Sequence, residues 1–477
     1  MALSFEQEPI SDSTTSPVIT NWTPLVPYVL YQNATIASYF YYKLVLEIRL
    51  DDASGTLLAK LKQRRNGYAD DITNNRARAI FDVRDVINSQ LEDTIADQNA
   101  TTRSIHAVGV NVLAKPFSTN SNQIKKIYVK GYQNYSTAAN ESPGDVTTGS
   151  VNDTKYYIAA SLPLTTSRGT ADFQSNSFLA YSLNGVSDTF LSDVQRQGFG
   201  LIAGDEGRIN YVQSTDFHTV AFLNGESDFD SVPVRMYITY YDSNGSSIGS
   251  AQYIENTVAE GGAVPTTSGS EVDSNAKRLL YFGCGPANLQ AQSATTAARP
   301  SNFTDWYFYT VQATNAGGVS NVSDKYIFIN QDGSCKGFKV RRLGWRNSLG
   351  CYDYFNFKKK SVQTIEVNRN NYETMLGNFN SDMYSYDNFA RGKKTRQVIA
   401  VLKETLQTDW ITETDAVLLE SLIMSTNVSI IDNDDTDYTV PVMVTDSSFV
   451  KKTSANDGLI QYTVNIEYAN PINTNSQ

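Results

Sequence analysis

The residue types that most enzymes use for catalysis are scarce in this sequence. Only two histidines are present, His106 and His218, and each falls in an alternating pattern typical of a strand, where a histidine is more often structural than catalytic. Three cysteines, Cys284, Cys335 and Cys351, form no CxxC pair, so neither a disulfide framework nor a four-ligand zinc site is indicated. The sequence therefore predicts no cofactor and no metal centre, and a protein that is not an enzyme.

Nucleotide-binding motifs are incomplete as well. Gly392-Lys393 provides the GK of a phosphate-binding loop, but the upstream glycine and the strand-to-helix context are missing. Gly283 and Gly285 have Rossmann-like spacing, but Pro286 follows and we expect a tight turn there rather than the start of a helix. Neither segment favours a nucleotide site.

Two acidic segments could involve oxygen ligands or carboxylate chemistry. The run 432–437 invites comparison with a calcium loop, but it lacks the glycine, and Met443 stands at the distal ligand position. A solvated hairpin turn is the favoured interpretation, with adventitious Ca²⁺ left open, and the same holds for 226–230. A glycosidase needs two carboxylates at about 5–10 Å from one another, and a glycan hydrolase stays the least favoured alternative.

The densest aromatic segment, residues 341–357, is the best candidate for a binding site. Rings among polar groups can stack on the faces of sugars, or they can serve a protein interface. The favoured interpretation is that WRNSLG is a turn and YDYFNF a strand, with the rings divided between core and interface. The candidate interface or glycan-stacking residues are Trp345, Arg346, Asn347, Tyr352, Tyr354, Phe355 and Phe357.

Charge and composition make several classes of binding partner unfavourable. The chain has 477 residues, a net charge of -11 and a pI near 4.9, so it has no general attraction for nucleic acid or anionic lipid. No stretch reaches the eighteen apolar residues of a membrane span. The N-terminal residues lack the pattern of a signal peptide, and we expect synthesis in the cytoplasm. Tyrosine and phenylalanine, 29 and 21 in number, indicate a β-rich protein.

Local patterns place strands and two helices. Leu44, Leu46 and Ile48 alternate with polar residues as in a strand with one buried face. A short helix is predicted within 82–92 with Asp82 as N-cap, and a second one after the capping sequence Thr412-Glu413-Thr414-Asp415. The expected fold class is mainly β, with several antiparallel β-sandwich domains, a few short helices and a C-terminal α+β domain.

The predicted domain plan has five parts. They are an N-terminal arm (1–21), a β-sandwich with a short helix (22–118), a second β-sandwich (119–275), fibronectin-like strands with the aromatic segment (276–365) and the α+β domain (366–477). Residues 140–155 and 256–276 are expected to be long loops. We expect these loops and the arm to become ordered on neighbouring subunits.

Three groups of motifs carry a resemblance to a known class of proteins. The first is W-x-N-x-x-G-x-x-D-x-x-x-F, which runs from Trp345 through Asn347, Gly350 and Asp353 to Phe357. The second is YFYYKLVLEIRL followed by LLAKLKQ and IFDVRDVINSQL, and the third is DWITETDAVLLESLIMSTNVSII with VPVMVTDSS and IQYTVNIEYA. Together they resemble virion proteins of tailed bacteriophages, in particular those of marine and Bacteroidetes phages.

The resemblance implies a structural role. It points to a non-enzymatic tail or baseplate subunit that forms a symmetric ring or attaches fibres, with other virion proteins and further copies of itself as partners. The expected location is the virion tail, after synthesis in the host cytoplasm. The alternative is a receptor- or carbohydrate-binding tail-tip protein that contacts a host surface glycan.

Overall fold

The chain forms two compact units in a computed structural model. Unit 1 comprises Met1–Gln331 and Arg346–Asp353, and unit 2 comprises Asp332–Trp345 and Tyr354–Gln477. The structure describes residues 3–9, 18–20, 27–64, 75–92, 95, 104–108, 116–120, 122–158, 160, 183, 186–202, 206–223, 235–256, 279–292, 305–314, 320–332, 338–431, 439–453, 460–471 and 473–476.

Strands dominate unit 1. The helices among its described residues are α1 (Arg84–Asn88), a 3-10 helix (Ile105–Ala107) and α2 (Pro286–Gln292). Its strands are β1 (Leu3–Gln7), β2 (Val18–Thr20), β3 (Tyr28–Gln32), β4 (Phe40–Leu50), β5 (Leu57–Arg64), β6 (Ala77–Phe81), β7 (Phe117–Thr119), β8 (Ile124–Ser136), β9 (Gly144–Ile158), β10 (Arg196–Gly198), β11 (Glu206–Val212), β12 (Thr219–Leu223), β13 (Arg235–Tyr241), β14 (Gln252–Glu255), β15 (Leu279–Gly283), β16 (Phe308–Thr314) and β17 (Tyr326–Asn330).

Ten further strands follow in the described part of the chain, and most of them form one large sheet. They are β18 (Arg341–Arg346), β19 (Tyr352–Phe357), β20 (Val362–Glu373), β21 (Asn378–Asn380), β22 (Met383–Ser385), β23 (Lys393–Gln407), β24 (Val428–Ile430), β25 (Val440–Val444), β26 (Thr463–Tyr468) and β27 (Asn473–Ser476), with helix α3 (Glu413–Met424). The order in the sheet is β19-β18-β24-β25-β26-β23-β20, and β27 also pairs with β23. Strands β21 and β22 form a separate small hairpin.

Two sandwiches account for the cores of unit 1. In the first, the sheet β2-β9-β8-β4-β5 faces the sheet β1-β3-β6, and one apolar cluster draws on both, including Leu30 of β3 and Leu46 of β4. In the second, β10-β11-β17-β16-β13-β14 shares a cluster with β12-β15-β7, which includes Phe222 and Tyr309. Most pairs are antiparallel, while β2–β9 and β11–β17 are parallel. The predicted mainly β class with antiparallel sandwiches and a few short helices is confirmed.

Several local predictions are also confirmed. Leu44, Leu46 and Ile48 are fully buried, as their alternation predicts. Thr412 and Asp415 form a reciprocal capping box at the start of α3, which begins at Glu413. The predicted N-cap of the first helix is wrong: Val83 and not Asp82 is the N-cap, and α1 is only one turn long. A carboxylate oxygen of Asp82 still accepts a hydrogen bond from the backbone N–H of Arg84 at 3.0 Å.

Other segments differ from the expectations. The described part of the expected arm pairs within the chain, since β1 lies against β3 and β2 against β9. Most of the expected loop 140–155 is strand β9, which pairs with β8. The boundary expected at 118/119 lies within β7, which pairs with β15, and the boundary expected at 365/366 falls inside β20. These pairings join segments that the domain plan separated.

The residues first considered for chemistry are packed in the interior. His106 lies in the 3-10 helix and His218 immediately before β12, and both are buried. The sequence predicts a tight turn and no helix after Gly285, but helix α2 begins at Pro286. Proline suits the first position of a helix. A Cβ on Gly285 would meet the backbone nitrogen of His218 at 2.3 Å, so this glycine permits close packing and leaves no room for a phosphate.

Some sequence candidates lie outside the described residues. They are the acidic runs 226–230 and 432–437, Cys335, and nearly all of 256–276. Cys284 and Cys351 are buried free thiols. None of the helices in the described part of the chain has the length and apolar character needed to cross a membrane.

Candidate functional site

All seven aromatic and polar candidates of the 341–357 segment are buried. Their exposed fractions range from 0% to 9%, so their rings offer no face to a sugar within this chain. The expectation of an exposed stacking platform or interface is therefore wrong. Aromatic rings are large apolar groups, and their burial in the core is favourable. The residues are Trp345, Arg346, Asn347, Tyr352, Tyr354, Phe355 and Phe357.

Asn347 organises the turn between β18 and β19. Its side-chain oxygen accepts hydrogen bonds from the backbone N–H groups of Leu349 at 3.1 Å and Cys351 at 3.0 Å. Its amide nitrogen donates to the carbonyl of Leu191 and to the carboxylate of Asp353, both at 2.9 Å. The asparagine of the W-x-N-x-x-G motif therefore has a structural explanation.

Two carboxylates lie next to this turn. Asp353 accepts hydrogen bonds from the hydroxyl of Ser192 at 2.5 Å and from the backbone N–H of Asp193 at 2.8 Å, in addition to the bond from Asn347. Asp193 accepts from the backbone N–H of Ser348 at 3.0 Å and from its hydroxyl at 2.7 Å. Burial, and then the charge of Asp193, raise the pKa of Asp353 to about 7.

This pair has the geometry of a structural cluster. Asp353 is 1% exposed, and both of its carboxylate oxygens already accept hydrogen bonds from protein groups. Among the described residues there is no group of three or more His, Cys, Asp or Glu side chains that could hold a metal ion. The cluster fastens the turn 347–353 to residues 191–193 within unit 1.

An exposed part of unit 2 is a β-ribbon, residues 362–407. It consists of β20 and β23, which pair antiparallel along the whole of β20 with one irregularity between Asn370 and Asn371. Its base also belongs to the large sheet, because β26 and β27 pair with β23 between Gln397 and Gln407. Every residue of β20 is exposed, so side chains on both faces of this strand reach solvent. Twelve residues at about 3.4 Å each span roughly 40 Å.

The ribbon ends in an apolar tip, residues 375–389, which includes the β21–β22 hairpin. Seven large apolar or aromatic side chains there have exposed fractions between 43% and 82%. Large apolar side chains that are exposed together in one short segment of a folded protein indicate an interaction site. The side chains are Met375, Leu376, Phe379, Met383, Tyr384, Tyr386 and Phe389.

A buried ion pair anchors the base of the ribbon. Glu404 of β23 is 1% exposed and accepts hydrogen bonds from Arg341 at 2.9 Å, Tyr468 at 2.9 Å and Gln363 at 3.2 Å. Burial alone would raise the pKa of Glu404, but the hydrogen bonds from Arg341 and Gln363 hold it below its usual value. The base is therefore fixed to β18 and β26 while the tip is exposed.

Sequence reasoning missed this ribbon. Both faces of β20 are exposed, so its sequence has no regular alternation of apolar and polar residues to mark a buried face. One signal in the sequence could have indicated the exposed tip. The segment NFNSDMYSYDNF is rich in aromatic residues and methionine, but no pattern of a buried strand adjoins it.

Comparisons with known proteins add little to this geometry. No protein-family model matches the chain, and no curated protein matches it. One solved structure is described as a tetra-tandem repeat in the extending region of a large adhesion protein. Its sequence is 7% identical, and the alignment covers 97% of this chain and 90% of that chain. Its TM-score of 0.17 is too low to support a statement about fold or function.

Proposed function

We propose that this protein is a non-enzymatic structural subunit that assembles with further copies of itself through the ribbon. The observation that carries the proposal is the apolar tip, where seven large side chains remain exposed at the end of a long ribbon. Burying such side chains against a neighbour would stabilise an assembly by about 25 cal/mol for each Å² removed from water. An isolated chain gains nothing from exposing them.

Charge supports a second copy as the partner. The ribbon contains six lysines and arginines and five acidic residues, and three more lysines, Lys358–Lys360, precede it. Residues 358–407 therefore have a formal charge of +4 in a chain of net -11, and the remainder of the chain carries -15. This segment of one copy is attracted to the acidic remainder of another. Complementary charge of this kind guides association and selects the partner.

The resemblance to tailed-phage virion proteins gives the proposal its finer form. In that form the subunit belongs to the tail or baseplate, where it builds a ring or attaches fibres. A rigid base with an exposed tip suits a subunit that must reach its neighbour in a symmetric assembly. Mass spectrometry of purified particles of the encoding phage tests this form, and absence of the chain from those particles would contradict it.

The assembly itself is tested by light scattering after size exclusion. We expect the wild-type chain to form oligomers, and the triple variant Phe379→Ser, Met383→Ser, Phe389→Ser to run as a 52.8 kDa monomer. The matched control is Val186→Ser with Val450→Ser, because these side chains are equally exposed but lie outside the ribbon. A triple variant with the wild-type mass, or a wild-type chain that is monomeric at every concentration, would overturn the proposal.

A further inference from the structure

Unit 1 contains a groove. It has a volume of about 920 Å³ and is lined by the start of β4, the end of β5 and the loop that follows β8. Binding sites for small ligands occupy about 300–1,000 Å³, so the groove has the size of a ligand site. Its lining includes Tyr39, Tyr41, Lys43, Arg64 and Glu141.

The backbone of Tyr41 is held in a conformation that large residues rarely adopt. Its φ is +56°, and the register of β4 against β8 shifts between Phe40 and Lys43. A bulge of this kind turns a side chain in a new direction, and strained positions of this kind concentrate at binding sites. The ring of Tyr41 is 58% exposed, and its hydroxyl donates a hydrogen bond to the carbonyl of Ala139 at 2.9 Å, which fixes the ring at the groove.

Further rings support the groove. The ring centroid of Tyr39 lies 4.0 Å from that of Tyr135, and Tyr42 lies 6.0 Å from Tyr135. The hydroxyl of Tyr42 donates to the side-chain oxygen of Gln133 at 3.1 Å, in the interior. The groove is therefore built on a packed aromatic base.

Two like charges face each other at the same place. Lys43 of β4 and Arg64 of β5 are direct cross-strand partners, and both line the groove. Like charges directly opposite each other on one face of a sheet destabilise the pair. An anion bound in the groove would relieve that repulsion, and Arg64 can hold a carboxylate with two parallel hydrogen bonds.

We propose that this groove binds an acidic oligosaccharide. The exposed ring of Tyr41 offers a face to the C–H groups of a sugar, and the two cations offer a site for its carboxylate. Amide and carboxylate groups at Asn140 and Glu141 can hydrogen-bond sugar hydroxyls.

The proposal is independent of assembly through the ribbon, and calorimetry on the full chain tests it. The acidic probes are tetragalacturonate, tetramannuronate and sialyllactose, with maltotetraose as the neutral sugar and tetraglutamate as an acidic peptide without sugar rings. We expect at least one acidic sugar to bind at least fivefold more tightly than both controls. Binding should weaken as salt is added, because part of it is ionic.

Variants of the groove separate the ring from the charge. Tyr41→Asn removes the ring at a backbone conformation that asparagine tolerates, and we expect at least fivefold weaker binding of the acidic sugar. Tyr41→Phe keeps the ring but loses the hydrogen bond to Ala139, so its affinity should lie between those of the wild type and of Tyr41→Asn. Arg64→Gln should bring the affinity for the acidic sugar to that for maltotetraose.

Four results would overturn the proposal. The first is that no acidic sugar binds, and the second is that tetraglutamate binds as tightly as the acidic sugars. The third is that the Tyr41→Asn variant binds the acidic sugar as tightly as the wild type. The fourth is that no sugar binds and the Tyr41→Asn variant loses its oligomers. The last result would identify the groove as a contact between copies. The triple tip variant should bind the acidic sugar as wild type does, so failure of assembly and failure of sugar binding are distinguishable.

Discussion

The backbone N–H of Asp193 donates a hydrogen bond to the carboxylate of Asp353 at 2.8 Å, which brings the half-buried Asp193 next to the buried Asp353 in unit 1. Burial and the neighbouring charge raise the pKa of Asp353 to about 7, whereas its ordinary value is 3.8. The native state therefore retains a proton between about pH 4 and pH 7 that the unfolded chain has lost. Stability must fall as the pH rises through this range.

The size of this effect follows from proton linkage. One proton held only by the native state changes the free energy of unfolding by at most about 1.4 kcal/mol per pH unit. We expect urea unfolding, followed by circular dichroism between pH 4 and pH 8, to show unit 1 losing stability by up to this slope and levelling off above pH 7. A stability that rises steadily across the same range would contradict the assigned direction.

Asp353→Asn is the control variant. An amide oxygen can still accept from Asp193 and Asn347, and the amide nitrogen can donate to the hydroxyl of Ser192, while the ionisable group is gone. We expect this variant to flatten the pH dependence and to exceed the wild type in stability at pH 8. Equal slopes in both proteins would assign the pH dependence to another group.

The second prediction concerns Asn347. Truncation by Asn347→Ala removes four side-chain hydrogen bonds from one buried turn, among them those to the backbone N–H groups of Leu349 and Cys351. Each buried group left unsatisfied costs about 1–3 kcal/mol, and some regain water, so we expect a loss of about 3 kcal/mol in the free energy of unfolding. Urea titration at pH 6 measures it.

Asn347→Asp distinguishes this explanation from simple loss of volume. Aspartate fills the same space but places a further carboxylate beside Asp353, where the wild-type amide donates. We expect a steeper fall of stability with rising pH than in the wild type. A variant as stable as the wild type at pH 8 would show that the amide donor contributes little.

The features that the sequence predicted are those with a local cause. The capping box of Thr412 and Asp415 and the buried face formed by Leu44, Leu46 and Ile48 depend on neighbours in the chain, and both are present. The first part of strand β9, residues 144–153, was missed because most of these residues are exposed and polar, and the strand pairs with β8 across a turn. Its strand character depends on a partner, which local patterns do not contain.

YDYFNF is a strand, as predicted, but the burial of all its residues was missed for a related reason. All six residues of β19 are buried, polar Asp353 and Asn356 included, so the alternation that would separate a core face from an exposed face is absent. Asn356 accepts a hydrogen bond from Arg342 at 2.8 Å, and the guanidinium of Arg342 also lies 5.0 Å from the ring centre of Tyr354. Buried polar partners of this kind satisfy one another, and only the fold brings them together.

The shape of the apolar tip gives a third prediction. Gly377 has a φ of +84°, and a Cβ there would meet the carbonyl oxygen of Ser385 at 2.3 Å. Gly377→Ala therefore distorts the tip without removing any of its apolar side chains. If neighbouring copies recognise the shape of the tip, this variant should lose oligomers in light scattering to an extent near that of the triple serine variant.

Gly144→Ala is the matched control, because a Cβ there has no atom within 4 Å and we expect its oligomers to equal those of the wild type. A contact that needs only apolar surface would survive Gly377→Ala and fail only in the triple serine variant. The two variants therefore separate a shaped contact from nonspecific association of exposed apolar groups. A shaped contact has the close packing of a specific interface, and a symmetric assembly requires that kind of interface.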